Sequence, residues 1–102
     1  MIIARYAVSD PTKAAKRAEF LEQHRTYLRQ APIRILLSGP SAAPVDGDGA
    51  SALLIADVES LKEFILFSDG DPFVRTGVYQ AVKIFEWQPT AGILLATLRE
   101  MS

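Results

Sequence analysis

Two hydrophobic rhythms alternate along this chain, and the order in which they exchange limits its fold more than any other feature. At "IIARYAV" (2–8) the period is two: Ile2, Ala4, Tyr6 and Val8 share one face, and Ile3, Arg5 and Ala7 share the other, as on a strand. "SDPTK" then reads as a helix start, with Asp10 capping the exposed amides and Pro11 at a first helical position that needs no N–H. From there to about Gln30 the spacing is three and four, with Ala14, Ala18, Leu21 and Leu28 on one stripe. Lys13, Lys16, Glu19, Glu22 and Arg29 lie mostly toward solvent, and Pro32 marks the end.

"IRILLSGP" (33–40) reads as a second strand, stopped by Gly39 and Pro40. The turn-forming "SAAPVDGDG" is a loop, and "ASALLIADV" (50–58) a third strand. "ESLKEFILF" (59–67) has the pattern of a short amphipathic helix, with Leu61, Phe64 and Ile65 on one side. "YQAVKIFEW" (79–87) alternates as a fourth strand. The order β-α-β-β-α-β predicts a ferredoxin-like α+β fold, an antiparallel sheet carrying both helices on one face. One domain over 1–89 accounts for all of it. The remaining "TAGILLATLREMS" (90–102 with Pro89 before it) is an extension whose Ile93, Leu94, Leu95 and Leu98 suit a short helix or an added strand, packed on the domain or on a partner.

The central strands are apolar on both faces, with Ile35 and Leu37 opposed to Leu36, and Leu53 and Ile55 opposed to Leu54. A sheet wetted on one side alternates apolar with polar instead. The second face is therefore expected to be buried against another copy of the chain, in a homodimer with sheets facing.

Composition removes several function classes. The net charge is −1 and no basic stripe is interleaved with aromatics, so nucleic acid is not an expected partner. With no cysteine there are no disulfides, zinc–thiolate sites or iron–sulfur clusters. No apolar run approaches the roughly 20 residues that span a bilayer, and "MIIARYAVSDP" lacks signal-peptide character. The expectation is a cytoplasmic protein with no membrane contact.

His24 is the only histidine, and at 100° per residue it falls on the apolar stripe beside Phe20, Leu21 and Leu28. It is either a core imidazole satisfied by a carbonyl or tyrosine, or a working group with a partner. It is no metal ligand, since one histidine without cysteine builds no usual zinc site. In "SDGDPFVRTGVY" (68–79), Asp71 precedes Pro72 and is thereby held to few conformations. It either caps the short helical segment "PFVRTG" or reaches His24. Ser38 and Gly39 of "LSGP" either end a strand or offer a hydroxyl and close backbone approach to a ligand; no G-x-S-x-G elbow makes Ser38 a nucleophile. "DGDG" (46–49) matches neither a phosphate-binding loop nor a calcium loop.

Taken together, "AEFLEQHRTYL" with His24, "ILLSGP" with Gly39 and Pro40, "ALLIADVESLKEF", and "DGDPFVRTGVY" with Asp71, Pro72, Phe73 and Gly77 resemble the YCII-related domain family over nearly the whole chain to Pro89. The resemblance implies a dimeric ferredoxin-like α+β barrel with a His–Asp pair as its active centre, which falls here on His24 and Asp71. Ser38, Gly39 and Pro40 would line the same pocket. One family member is a dehydrochlorinase of a chlorinated, hydroxylated aromatic, and related dimeric barrels include cofactor-free monooxygenases and muconolactone isomerases. Many relatives carry an arginine a few residues before the histidine; here those positions hold Leu21, Glu22 and Gln23, and Arg17 is the nearest preceding arginine.

A carboxylate that accepts from one imidazole nitrogen fixes the tautomer and leaves the other nitrogen as a base. The expected function is a small lyase- or isomerase-like enzyme without cofactor, His24 its general base, Asp71 its orienter, and a small organic molecule its substrate. Arg5, Tyr6, Phe73 and Tyr79 are the candidates for shaping the cleft. The rivals are a non-catalytic dimeric module that binds a small ligand or a protein, in which the pair is a structural link, and a cofactor-free oxygenase.

Overall fold

A computed structural model describes residues 1–42 and 50–101. The elements are β1 (Ile2–Ser9), a 3-10 turn (Pro11–Lys13), α1 (Ala14–Arg29), β2 (Arg34–Ser41), β3 (Ser51–Asp57), α2 (Leu61–Gly70), α3 (Pro72–Arg75), β4 (Tyr79–Glu86) and α4 (Leu95–Met101). The four strands form one antiparallel sheet in the order β2-β3-β1-β4. That is the ferredoxin-like arrangement expected from the hydrophobic rhythm. The "DGDG" segment lies outside the described residues.

The caps follow the sequence. Asp10 accepts from the Thr12 amide at the entry to the 3-10 turn, and Ser60 accepts from the Glu63 amide at the start of α2. The Tyr27 hydroxyl of α1 donates to the Phe67 carbonyl at 2.7 Å, tying α1 to the last turn of α2. Gly77, after α3, has φ of +76°, which only glycine adopts without strain.

Alternation in β1 sends Ile3, Arg5 and Ala7 to the helix-covered face, where they pair laterally with Ala56, Leu54 and Ala52 of β3. Ile3, Leu54 and Ala56 join Phe64 and Phe67 of α2 in one buried cluster, with Tyr27 and Leu28 of α1 packed against it. Ala7, Phe73, Val78 and Tyr79 form a second, smaller one, beside Phe20 and Leu21.

Three local expectations change. The apolar stripe of α1 comprises Phe20, Leu21, His24, Tyr27 and Leu28, whereas Ala14 and Ala18 are exposed. In α2 the buried positions are Phe64, Phe67 and Ser68, and Leu61 and Ile65 face outward. Gly39 and Pro40 do not stop β2, which continues to Ser41. It is an edge strand, so a proline without an N–H is tolerated.

The other sheet face carries Leu37, Leu53 and Phe85, all exposed. The extension takes the helical of its two expected forms. α4 lies across this second face, so that Leu95 and Leu98 line an apolar cavity of about 570 Å³ with Ile2, Leu37, Ile55 and Trp87. The helices are thus not all on one side: α1 and α2 cover one face and α4 part of the other. Among the described residues no helix is long and apolar enough to cross a membrane.

Candidate active site

Four separate segments deliver polar side chains to the helix-covered face. His24 is the buried residue of α1, Arg5 comes from the middle of β1, Ser68 from the last turn of α2, and Asp71 from the residue between α2 and α3. Asp71 has φ −62° and ψ 126°, the extended geometry that its proline neighbour favours. That conformation points its carboxylate back over α3 and toward α1 and β1.

The carboxylate is fully engaged. Oδ1 meets His24 Nδ1 at 2.7 Å and accepts from the Phe73 amide at 2.9 Å. Oδ2 accepts from Arg5 Nη2 at 3.0 Å, and Arg5 Nη1 donates to Ser68 Oγ at 3.2 Å. The two sequence readings of Asp71, helix cap and histidine partner, are therefore satisfied by one oxygen. Arg5 is 2% exposed and Asp71 0%, so the ion pair is screened from water. Burial pushes the Asp71 carboxyl up, but the His24 hydrogen bond, the charges of His24 and Arg5 and the Phe73 amide outweigh it and hold the carboxyl below its ordinary value of 3.8. An ionised carboxylate only accepts, so the His24 proton sits on Nδ1. Among the described residues that is the one side-chain hydrogen bond of His24, which leaves Nε2 free.

Aromatic contacts fix the ring further. His24 stacks on Phe73 with centroids 4.0 Å apart and planes 7° apart, and Tyr79 meets both rings edge-on. Burial raises the Tyr79 hydroxyl above its ordinary value, so it remains a protonated donor at neutral pH.

His24 lines a cavity of about 290 Å³ with Arg5, Phe73 and Tyr79 on one side and Ser38, Gly39 and Pro40 of β2 on another. Ser38 and Pro40 arrive there through a β-bulge. Ile35 pairs with Ala56, but the next pairs are Leu37 with Ile55 and Ser38 with Leu54, so Leu36 is the extra residue. The bulge moves Leu37 to the open face and turns Ser38 and Pro40 toward the cavity. Without it, alternation from Ile35 would send both outward. Among the described residues a Cβ added to Gly39 would meet nothing within 4 Å, so close approach to them is not the reason for that glycine.

All the proposed site residues, His24, Asp71, Arg5, Ser38, Gly39, Pro40 and Phe73, therefore gather in or directly behind one cavity. Tyr6 does not: it lies on the opposite face, paired with Leu53 and Lys83. Sequence reasoning gave no site role to Arg17 and Arg25, which also line the cavity, or to Ser68 behind it. Arg17 precedes His24 by two helical turns, and that spacing alone places it on the same side of α1. Among the described residues the larger cavity beneath α4 has no titratable side chain in its wall. Among the described residues no three His, Asp or Glu side chains gather as a metal ion would require.

Solved structures share the fold. The 5-chloro-2-hydroxyhydroquinone dehydrochlorinase from Burkholderia phenoliruptrix, in complex with 2,5-dihydroxybenzoquinone, superposes with a TM-score of 0.75 at 26% identity over 86% of this chain and 94% of that one. A heme-degrading protein from Mycobacterium tuberculosis gives 0.56 at 16% identity over 90% and 100% of the two chains. An antibiotic biosynthesis monooxygenase, so named putatively, from Bacteroides thetaiotaomicron gives 0.57 at 16% identity over 92% of each. These last two show a common fold and no more. No curated protein matches the sequence. The YCII-related domain model matches residues 1–88, and the chain belongs to that family.

Proposed function

We propose that this YCII-related protein is a cofactor-independent enzyme of the lyase or isomerase type, with His24 as general base and Asp71 as the group that orients it. The observation that carries the reading is the 2.7 Å contact between Asp71 Oδ1 and His24 Nδ1 at the wall of an open cavity. Asp71 holds the ring in the tautomer whose Nε2 is unprotonated, and Phe73 holds its plane. The likeness to a dehydrochlorinase supports a small, hydroxylated ring compound as substrate.

In an elimination, Nε2 takes a proton from the substrate, and the released electron pair forms the new π bond as the carbon–chlorine bond breaks. Chloride leaves, the imidazolium returns its proton to solvent, and the net loss is hydrogen chloride with no change of oxidation state. In an isomerisation the same proton returns to a different carbon. Tyr79 and Ser38, which line the same cavity, would donate to the oxygen on which charge develops. Asp71 stays ionised throughout, anchored by Arg5 and the Phe73 amide.

The complete burial of Arg5 and Asp71 also favours a second reading, a structural link in a ligand-binding module without turnover. Chloride release from 5-chloro-2-hydroxyhydroquinone, compared between the parent and His24→Gln, separates the two. The enzymatic reading predicts release that falls about 10²–10⁴-fold in the variant while the fold is retained. Release that is absent from the parent, or unchanged in His24→Gln, removes the proposed base.

The partner proposal is a second copy of the chain on the open sheet face. The support is the exposure of Leu37 (63%) and Phe85 (48%) there, with Ile93 of the extension 97% exposed.

A further inference from the structure

Three guanidinium groups line the His24 cavity, and their electrostatic situations differ. Arg5 is neutralised by Asp71, and Arg25 pairs with Glu22 at 3.0 Å on the surface. Arg17 has no carboxylate partner among the described residues. Its Nε is buried without a hydrogen-bond acceptor, while its guanidinium carbon stands 5.5 Å from the centroid of the Phe73 ring on which His24 stacks. A buried, orphaned charged donor is costly unless something that binds there satisfies it. Among the described residues the cavity wall contains no carboxylate, and Asp71, behind it, is already balanced by Arg5.

We infer that the substrate is a small planar organic anion, whose carboxylate or ring-conjugated oxyanion is received by Arg17 while its ring lies against the His24–Phe73 wall. This rests on the reading of that cavity as the substrate site. It adds a substrate class and makes Arg17 the residue that selects for charge. About 290 Å³ accommodates a single ring with its substituents and little more. The Arg17 fork supplies a directional charge-assisted hydrogen bond to oxygen from apolar surroundings that include Leu21 and Phe73. An oxyanion in conjugation with the ring also raises the electron density that an elimination draws on, so the group that binds and the group that reacts belong to one π system.

The test is calorimetric titration of the parent, Arg17→Met, Arg17→Lys and His24→Gln with 2,5-dihydroxybenzoquinone and 4-hydroxybenzoate as anions, and 4-hydroxybenzamide as the uncharged counterpart. The parent binds at least one anion more than tenfold tighter than the amide, and that affinity falls as salt rises. Arg17→Met loses about ten- to a hundredfold for the anion, the equivalent of one charge-assisted hydrogen bond, with little change for the amide. Arg17→Lys recovers part of the loss, because it restores charge without the planar fork. If Arg17→Met does not fold, the salt dependence of the parent and the affinity of the lysine variant decide between the same two outcomes. The inference is overturned if neither anion binds the parent up to millimolar concentration, if the amide binds equally well, or if the folded arginine variants bind the anion as the parent does. Chloride release is read beside the titrations: if the parent binds the anion through Arg17 but release is absent or does not depend on His24, the catalytic reading falls and Arg17's role stands.

Discussion

Asp71→Asn removes one charge and almost no volume, and the geometry makes its consequence calculable. The carboxylate accepts from three donors, His24 Nδ1 at 2.7 Å, the Phe73 amide at 2.9 Å and Arg5 Nη2 at 3.0 Å. An asparagine has one acceptor oxygen. Placed at Oδ1 it turns its NH2 against Arg5, and flipped it turns the NH2 against the Phe73 N–H. His24 can adapt by changing tautomer; the other two donors cannot. Arg5, 2% exposed, is left as a buried charge without its counterion. Breaking such a pair costs about 3–5 kcal/mol, against roughly 5–15 kcal/mol for the stability of a whole domain. For a chain of this length, that is a fall in melting temperature on the order of 15–30 °C. Urea and thermal unfolding followed by circular dichroism measure it directly. Adding Arg5→Met removes the stranded charge and recovers at least half of the loss. A change below about 1 kcal/mol in Asp71→Asn, the range of ordinary surface substitutions, refutes the idea that this network is buried and charge-paired.

Other outcomes follow from the same geometry. The Asp71 carboxyl is held below its ordinary 3.8, so the stability it contributes is present above about pH 4 and is lost as pH falls through its lower folded value; the gap between parent and Asp71→Asn narrows in unfolding curves taken from pH 5 toward 2. A Cβ at Gly70 collides with the Tyr27 hydroxyl, which is bonded to the Phe67 carbonyl on a ring stacked against Phe67. Gly70→Ala is therefore destabilising by about 1–3 kcal/mol despite alanine's better helix propensity, and adding Tyr27→Phe restores part of that; an unchanged urea midpoint in the single variant contradicts the clash. Light scattering at micromolar concentration gives the mass of a dimer, and a monomeric mass removes the second copy from the open sheet face.

What the sequence disclosed and what it hid have physical causes. The elements were legible because β1 and β4 alternate with a period of two, β3 is a short apolar run bounded by turn residues, and Asp10 caps where a short polar side chain does. The facing of α2 was not, because residues 64–67 are apolar in succession and cover every side of a helix. Ala14 and Ala18 misled for a related reason: alanine is small enough for either face. The bulge at Leu36 was invisible, since an inserted residue leaves composition unchanged while reversing every later side chain, including Ser38. His24 stood out as a polar group on an apolar stripe. Its contact with Asp71 spans 47 positions of sequence, which periodicity cannot bridge; the family resemblance pointed to it. Ser68 carries no motif and became visible only through its contact with Arg5, whereas the spacing of Arg17 from His24 was readable and only its place in the cavity was not.

The central claim is that Asp71 fixes His24 with its proton on Nδ1 and its bare Nε2 toward the cavity. Nitrogen NMR of the protein labelled in its single histidine reads the tautomer of the neutral ring directly. The expected spectrum shows a protonated Nδ1 shifted by a short hydrogen bond and an unprotonated Nε2, with that preference lost in Asp71→Asn. A ring protonated at Nε2 instead, unaffected by the Asp71 substitution, contradicts it.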